Sequence, residues 1–254
     1  SERILAGEWR PGDYLPPPAR RNTIAAPTLW RRLSDVGLRS IVLNVPLTYP
    51  PEPIRGSLVS GMFTPGLQSN CTYPAELKRR LVDADSMPRF NTRTSGQLRG
   101  AIEGGAPAKD ILGAKIEYID DLGDMTVRLR RAVRRLAVDG FDLVAAVFVA
   151  TDRVQHWMWD DVVRASDGDQ DELCDRIRGL YRLVDEGLAE ASGLAGDDGF
   201  VVVGSDHGFG KCAGQFAFDR LLTEAGFAAP RVGAATVLKR RLGGSCALRK
   251  VRSA

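Results

Sequence analysis

The stretch Asp142-Leu143-Val144-Ala145-Ala146-Val147-Phe148-Val149-Ala150-Thr151-Asp152-Arg153-Val154-Gln155-His156 decides how the chain is read. After Asp142 it is apolar without a break as far as Ala150, and it is too short to cross a bilayer. A run of that length and kind fits a strand buried on both faces, over 142–150. Burial on both faces implies a mostly parallel sheet. Just upstream, Val127, Leu129, Val133 and Leu136 are spaced between arginines as one buried helical face over 125–138, and Gly140 ends it. Helix, glycine, strand is one half of a parallel α/β unit.

The same unit recurs in both directions. Upstream, Leu29, Trp30, Leu33 and Val36 follow helical spacing and Gly37 fits a helix stop. The β-rich run Arg39-Ser40-Ile41-Val42-Leu43-Asn44-Val45 follows, ended by Pro46. Downstream, Ile177, Leu180, Tyr181, Val184 and Leu188 mark a helix over 171–192, with Gly193 and Gly196 after it. Phe200-Val201-Val202-Val203 reads as the next strand, and 217–226 as a short helix stopped by Gly226. Three helix–strand pairs predict an α/β fold, a mostly parallel sheet flanked by helices on both faces. Residues 1–27 read as an irregular lead-in. Residues 46–125, rich in Pro and Gly, read as a cap or insertion, or as a plain excursion with short helices such as one near 75–82. The whole, 1–254, is expected to be a single domain.

Composition narrows the function. A net charge of +3 is too small to imply nucleic acid. The basic runs Arg128-Leu129-Arg130-Arg131 and Lys239-Arg240-Arg241 lack interleaved aromatics and read as solvated faces. No apolar run is long enough for a membrane span. No signal peptide is evident. The start at Ser1 rather than Met leaves the location open, with the cytoplasm favoured. Cys71, Cys174, Cys212 and Cys246 form no CxxC pair and are expected to be thiols.

Chemistry is expected where the strands end, because ligands of open α/β sheets bind beyond their carboxyl ends. Two predicted strands end in an Asp with a His after it: Thr151-Asp152-Arg153-Val154-Gln155-His156 and Ser205-Asp206-His207-Gly208. His156 and His207 are the only histidines in the sequence. Asp and His are standard ligands of zinc and similar ions. A helical turn after Asp152 would put His156 on the same face, and Gly208 permits the bend that Asp206 and His207 need to reach one ion. Either motif alone could be a capping Asp with a buried His, or a turn. Together they point to a metal site.

These motifs resemble the alkaline phosphatase superfamily and, within it, the type I phosphodiesterase/nucleotide pyrophosphatase family. Val201-Val202-Val203-Gly204-Ser205-Asp206-His207-Gly208-Phe209 is similar to that family's strand followed by Ser-Asp-His-Gly. Phe148-Val149-Ala150-Thr151-Asp152-Arg153-Val154-Gln155-His156-Trp157-Met158-Trp159 is similar to its Asp-x-x-x-His segment. Tyr181-Arg182-Leu183-Val184-Asp185 lies between them, as in the family. Asn44-Val45-Pro46-Leu47-Thr48-Tyr49-Pro50-Pro51 and Gly56-Ser57-Leu58-Val59-Ser60-Gly61 resemble a subgroup of it.

The resemblance covers about residues 20–228. It implies an alkaline phosphatase-like fold, a small-molecule phosphoester substrate and two divalent metal ions, zinc by preference with manganese as the alternative. Asp152 and His156 would hold one ion, Asp206 and His207 the other. One ion activates an attacking Thr or Ser hydroxyl, and the other stabilises the leaving oxygen. The family also has an N-terminal strand ending in a metal-binding Asp, a nucleophile after it, and a third histidine near the C-terminus. None matches here. By the resemblance the fold is therefore incomplete, the nucleophile lies upstream, no catalytic residue falls in 1–254, and this stretch binds metal poorly. The rivals are another superfamily member (a sulfatase, phosphonate hydrolase or phosphoglycerate mutase) and a non-catalytic binding protein that keeps the fold.

Overall fold

The computed structural model describes residues 20–212, 222 and 225–227. Residues 18–211 form one compact unit, which holds the sheet and the helices around it. The helix expected over 217–226 lies almost wholly outside the described residues.

The elements run α1 (Leu29–Asp35), β1 (Ser40–Val45), β2 (Gly56–Ser60), β3 (Thr72–Tyr73), α2 (Leu77–Asp83), α3 (Ser95–Glu103), α4 (Ala108–Ala137), β4 (Leu143–Ala146), α5 (Ala150–Asp167) and α6 (Glu172–Gly193). The strands lie in the order β3-β2-β1-β4. β1 is parallel to both β2 and β4, and β3 is antiparallel to β2. Ser40 sits opposite Gly56 on one side and Leu143 on the other. Gly56 has φ 131°, and a Cβ there would stand 2.0 Å from the Ser40 carbonyl oxygen, so the register depends on its lack of a side chain.

Alternation along β1 sends successive side chains to opposite faces. Ile41 and Leu43, with Val59 of β2, pack against Leu77 and Leu81 of α2 and Leu129, Val133 and Leu136 of α4. Val42 and Leu58 point the other way, toward Ile54 and Trp30 of α1. Helices thus cover both faces, as the sequence predicts. Glu52 fastens the start of α1: it accepts from Thr28 Oγ1 at 2.7 Å, Trp30 Nε1 at 2.8 Å and Arg21 Nε at 2.9 Å.

Three expectations change. The helix expected from residue 125 begins at Ala108, so α4 is about 45 Å long. Its second half covers the sheet. Its first half runs past the sheet, where Tyr118, Ile119, Leu122 and Met125 pack with Leu98 of α3, Val154 and Met158 of α5, and Ile177 and Leu180 of α6. The strand expected over 142–150 pairs only through 143–146 and is half-buried, because among the described residues β4 has a partner on one side only. Ala150 and Val154 bury themselves on α5 instead.

The third change is at Phe200-Val201-Val202-Val203, which forms no strand. The four residues are 97%, 50%, 92% and 66% exposed. An apolar run of this kind needs a ladder partner and cover on both faces, and among the described residues it has neither. Residues 46–125 contribute β2, β3, α2, α3 and the first part of α4. No helix among the described residues is long and apolar enough to cross a membrane. Cys71 and Cys174 are buried, unbridged thiols, and burial pushes both up from the ordinary thiol range.

Candidate metal centre

Asp152 lies in the first turn of α5 and His156 one turn further along the same face. The spacing of four brings their side chains together, with His156 Nε2 3.4 Å from Asp152 Oδ1. His207 reaches the same oxygen from the segment after α6, its Nε2 3.5 Å from Asp152 Oδ1. Asp206 points outward, 91% exposed, with Oδ1 3.9 Å from His207 Nε2. The structure therefore joins Asp152, His156 and His207 and sets Asp206 at the margin.

His207 Nδ1 lies 3.0 Å from the Gly208 carbonyl oxygen. A carbonyl only accepts, so Nδ1 carries the proton, and Nε2 offers a lone pair toward Asp152 when the ring is neutral. A carboxylate and an imidazole lone pair face each other favourably only with positive charge on or between them, from a second ring proton or a divalent ion. Two imidazoles and a carboxylate are a donor set suited to zinc. Ligand atoms of a tetrahedral zinc stand about 3.3–3.6 Å apart, and both contacts of Asp152 Oδ1 have that spacing. The two rings have centroids 6.5 Å apart, and among the described residues no three His, Cys, Asp or Glu side chains close around one point. The donor types and the two Asp152 pairs fit a metal; the set as a whole is not closed.

Phe209 joins the two motifs. Its ring meets His156 edge-on with centroids 4.9 Å apart, meets His207 at 5.0 Å, and stacks on Trp159 at 6.2 Å with planes 22° apart. Phe209 is half-buried, whereas the residues on either side of it, 200–208 and 210–212, are exposed. Lys211 Nζ, 3.1 Å from Asp160 Oδ1, adds an exposed ion pair to α5. The sequence shows both aromatics inside the two motifs but gives no sign that they touch.

Beneath this face is a polar cluster that the sequence does not disclose. Asp121, on α4, is buried and takes a bond from the Arg89 guanidinium. It also accepts from the Arg93 backbone N–H at 2.5 Å and from Arg93 Nε at 3.1 Å. Burial pushes its carboxyl up, but these donors outweigh burial and hold it below the usual carboxylate range. A buried Asp on a helical face reads in sequence as a break in the apolar stripe.

A profile of the type I phosphodiesterase / nucleotide pyrophosphatase family matches residues 7–253. No curated protein and no solved structure matches the chain significantly.

Proposed function

Because the chain belongs to the type I phosphodiesterase/nucleotide pyrophosphatase family of the alkaline phosphatase superfamily, we propose that its site hydrolyses phosphodiester or pyrophosphate bonds of a small-molecule substrate with the help of two divalent ions. Hydrolysis of such bonds is the family's chemistry; the two ions, zinc by preference, and their ligands are the proposal. Asp152 and His156 would hold one ion, and Asp206 and His207 the other. What supports a metal site here is the meeting of His156 and His207, from two separate motifs, on Asp152 Oδ1 at 3.4 and 3.5 Å.

Bound there, the ions would polarise a phosphoryl oxygen and make an attacking hydroxyl more acidic. The chain's own part is to present the ligands. The helical turn holds Asp152 and His156 on one face, and the Gly208 carbonyl sets the His207 tautomer. Asp206 is exposed, with Oδ1 3.9 Å from His207 Nε2. Residues 46–125 would supply much of the substrate wall.

Zinc titration with calorimetry, and hydrolysis of bis-p-nitrophenyl phosphate with zinc or manganese, both measured on a longer reading frame that includes the upstream nucleophile the resemblance implies, test the reading. Zinc at a hundredfold excess over its Kd should stabilise the fold by about 2.7 kcal/mol. Asp206→Ala and His207→Ala should each lower metal affinity at least tenfold and lower hydrolysis with it. Full hydrolysis by His207→Ala would overturn the assignment. A melting temperature that zinc leaves unmoved would favour a non-catalytic binding protein.

A further inference from the structure

Arg153 follows Asp152 in the first turn of α5 but turns inward. Its Nη2 donates to the Phe90 carbonyl at 2.7 Å, and its Nη1 lies 3.7 Å from Met125 Sδ. Among the described residues no carboxylate forms an ion pair with it. Burial holds Arg153 below the ordinary arginine value, opposed by the fields of Tyr118, Asp152 and Asp121. A guanidinium withdrawn from water without a carboxylate partner is costly. A leucine or methionine would fill the space without that cost, so the hydrogen bond itself calls for a reason.

The surroundings supply one. The start of α5 has no side-chain cap, its N-cap being Val149. Met158 interrupts the helix with φ −140° and ψ 38°, two residues after His156. The turns that carry Asp152 and His156 are therefore uncapped before and broken after, so their rotation rests on the burial of Ala150 and Val154 and on the bond of Arg153. The acceptor, by contrast, is firmly held. Phe90 is buried, and its neighbours Arg89 and Arg93 are fastened to Asp121 of α4. Arg89 Nη1 also donates to Asp124 Oδ2 at 2.8 Å.

Successive helical residues point about 100° apart, so a bond that fixes residue 153 inward fixes the direction of residue 152 and, one turn on, of residue 156. We propose that Arg153 is a positioning residue: by bonding the Phe90 carbonyl it sets, together with the buried Ala150 and Val154, the rotation of the first two turns of α5, and with it the angle at which Asp152 and His156 meet His207. This rests on the reading of Asp152, His156 and His207 as metal ligands.

The test compares the whole chain with Arg153→Met, which keeps length and loses the donors, and Arg153→Lys, which keeps one donor and the charge. With only two histidines, imidazole nitrogen–proton spectra of the metal-free protein contain two ring systems, assignable by His207→Gln. Arg153→Met should shift the His156 resonances, and zinc affinity should fall about 10- to 100-fold, as for lost outer contacts of a metal ligand. Arg153→Lys should recover most of both. Wild-type His156 resonances together with wild-type zinc affinity in folded Arg153→Met would overturn the proposal. If Arg153→Met does not fold, the shorter, neutral Arg153→Gln carries the same test with the same two outcomes. If the wild type binds no zinc but the His156 resonances still move in the variant, positioning stands and the metal reading fails.

Discussion

Asp121 shows how one residue can matter for a site it does not enter. Its two oxygens take donors from Arg89 and Arg93, and those residues hold the segment whose Phe90 carbonyl receives Arg153. Replacing it by asparagine leaves Arg89 withdrawn from water with only Asp124 to face. Removing one partner of a buried ion pair costs about 3 kcal/mol, so Asp121→Asn should lower the urea midpoint by a corresponding amount. The pH dependence has a definite sign. The folded carboxyl titrates below its unfolded value of about 3.9. Its contribution is therefore complete above about pH 4 and is lost as pH falls through the folded value. Melting temperatures between pH 6 and pH 2.5 check this: the wild type should lose stability below pH 4 more steeply than Asp121→Asn. Parallel acid limbs would show that the carboxylate is not held as described.

Among the elements, α6 is the clearest case of local chemistry defining a boundary. Asp171 is its N-cap, accepting the Cys174 backbone N–H at 2.8 Å and pairing with Arg164 of α5. Those bonds pull its pKa down to about 2. Asp171→Ala should lower the chemical-denaturation midpoint by a small amount, with the helix otherwise intact. A larger loss, with α6 resonances broadened, would mean that the link to α5 matters more than the cap. The sequence makes α1, β1 and α6 legible because their apolar residues keep one period between a start and a stop signal. Thr28 caps α1 and Gly37, with φ 85°, ends it. The first half of α4 is not legible, because Asp121 interrupts the stripe of Tyr118, Ile119, Leu122 and Met125, and Gly113 and Gly123 read as breakers. β3, two residues long, offers no pattern at all. Of the site, the i,i+4 relation of Asp152 and His156 is readable from spacing alone. The inward turn of Arg153 and the Phe209 contacts depend on the segment before α3, on α4 and on the segment after α6, which no local pattern records.

At the scale of the molecule, the sheet and the second motif are unevenly supported. β1 has partners on both sides and its residues Ile41, Val42 and Leu43 are almost wholly buried, whereas β4 is half-buried at the edge of the described sheet. Residues 200–203 are apolar and open to solvent, yet they lead directly into Ser205, Asp206 and His207. What ties the segment after it to α5 is Phe209, with His207 on Asp152 and Lys211 on Asp160, not a strand ladder. Hydrogen exchange should follow this division, with β1 amides among the slowest in the protein and those of 201–203 close to unprotected. An exposed run of Phe and three Val is also a site for chain-to-chain pairing. Val202→Lys removes apolar surface that contacts little, so it should change stability by no more than about 0.5 kcal/mol. The same change should lower self-association, read by sedimentation velocity across a concentration series. Val42→Lys puts the same charge between β1 and α1 and should prevent folding. A melting temperature lowered in Val202→Lys as severely as in Val42→Lys would place 200–203 in a packed strand and restore to the sheet the strand that the sequence pattern predicts there.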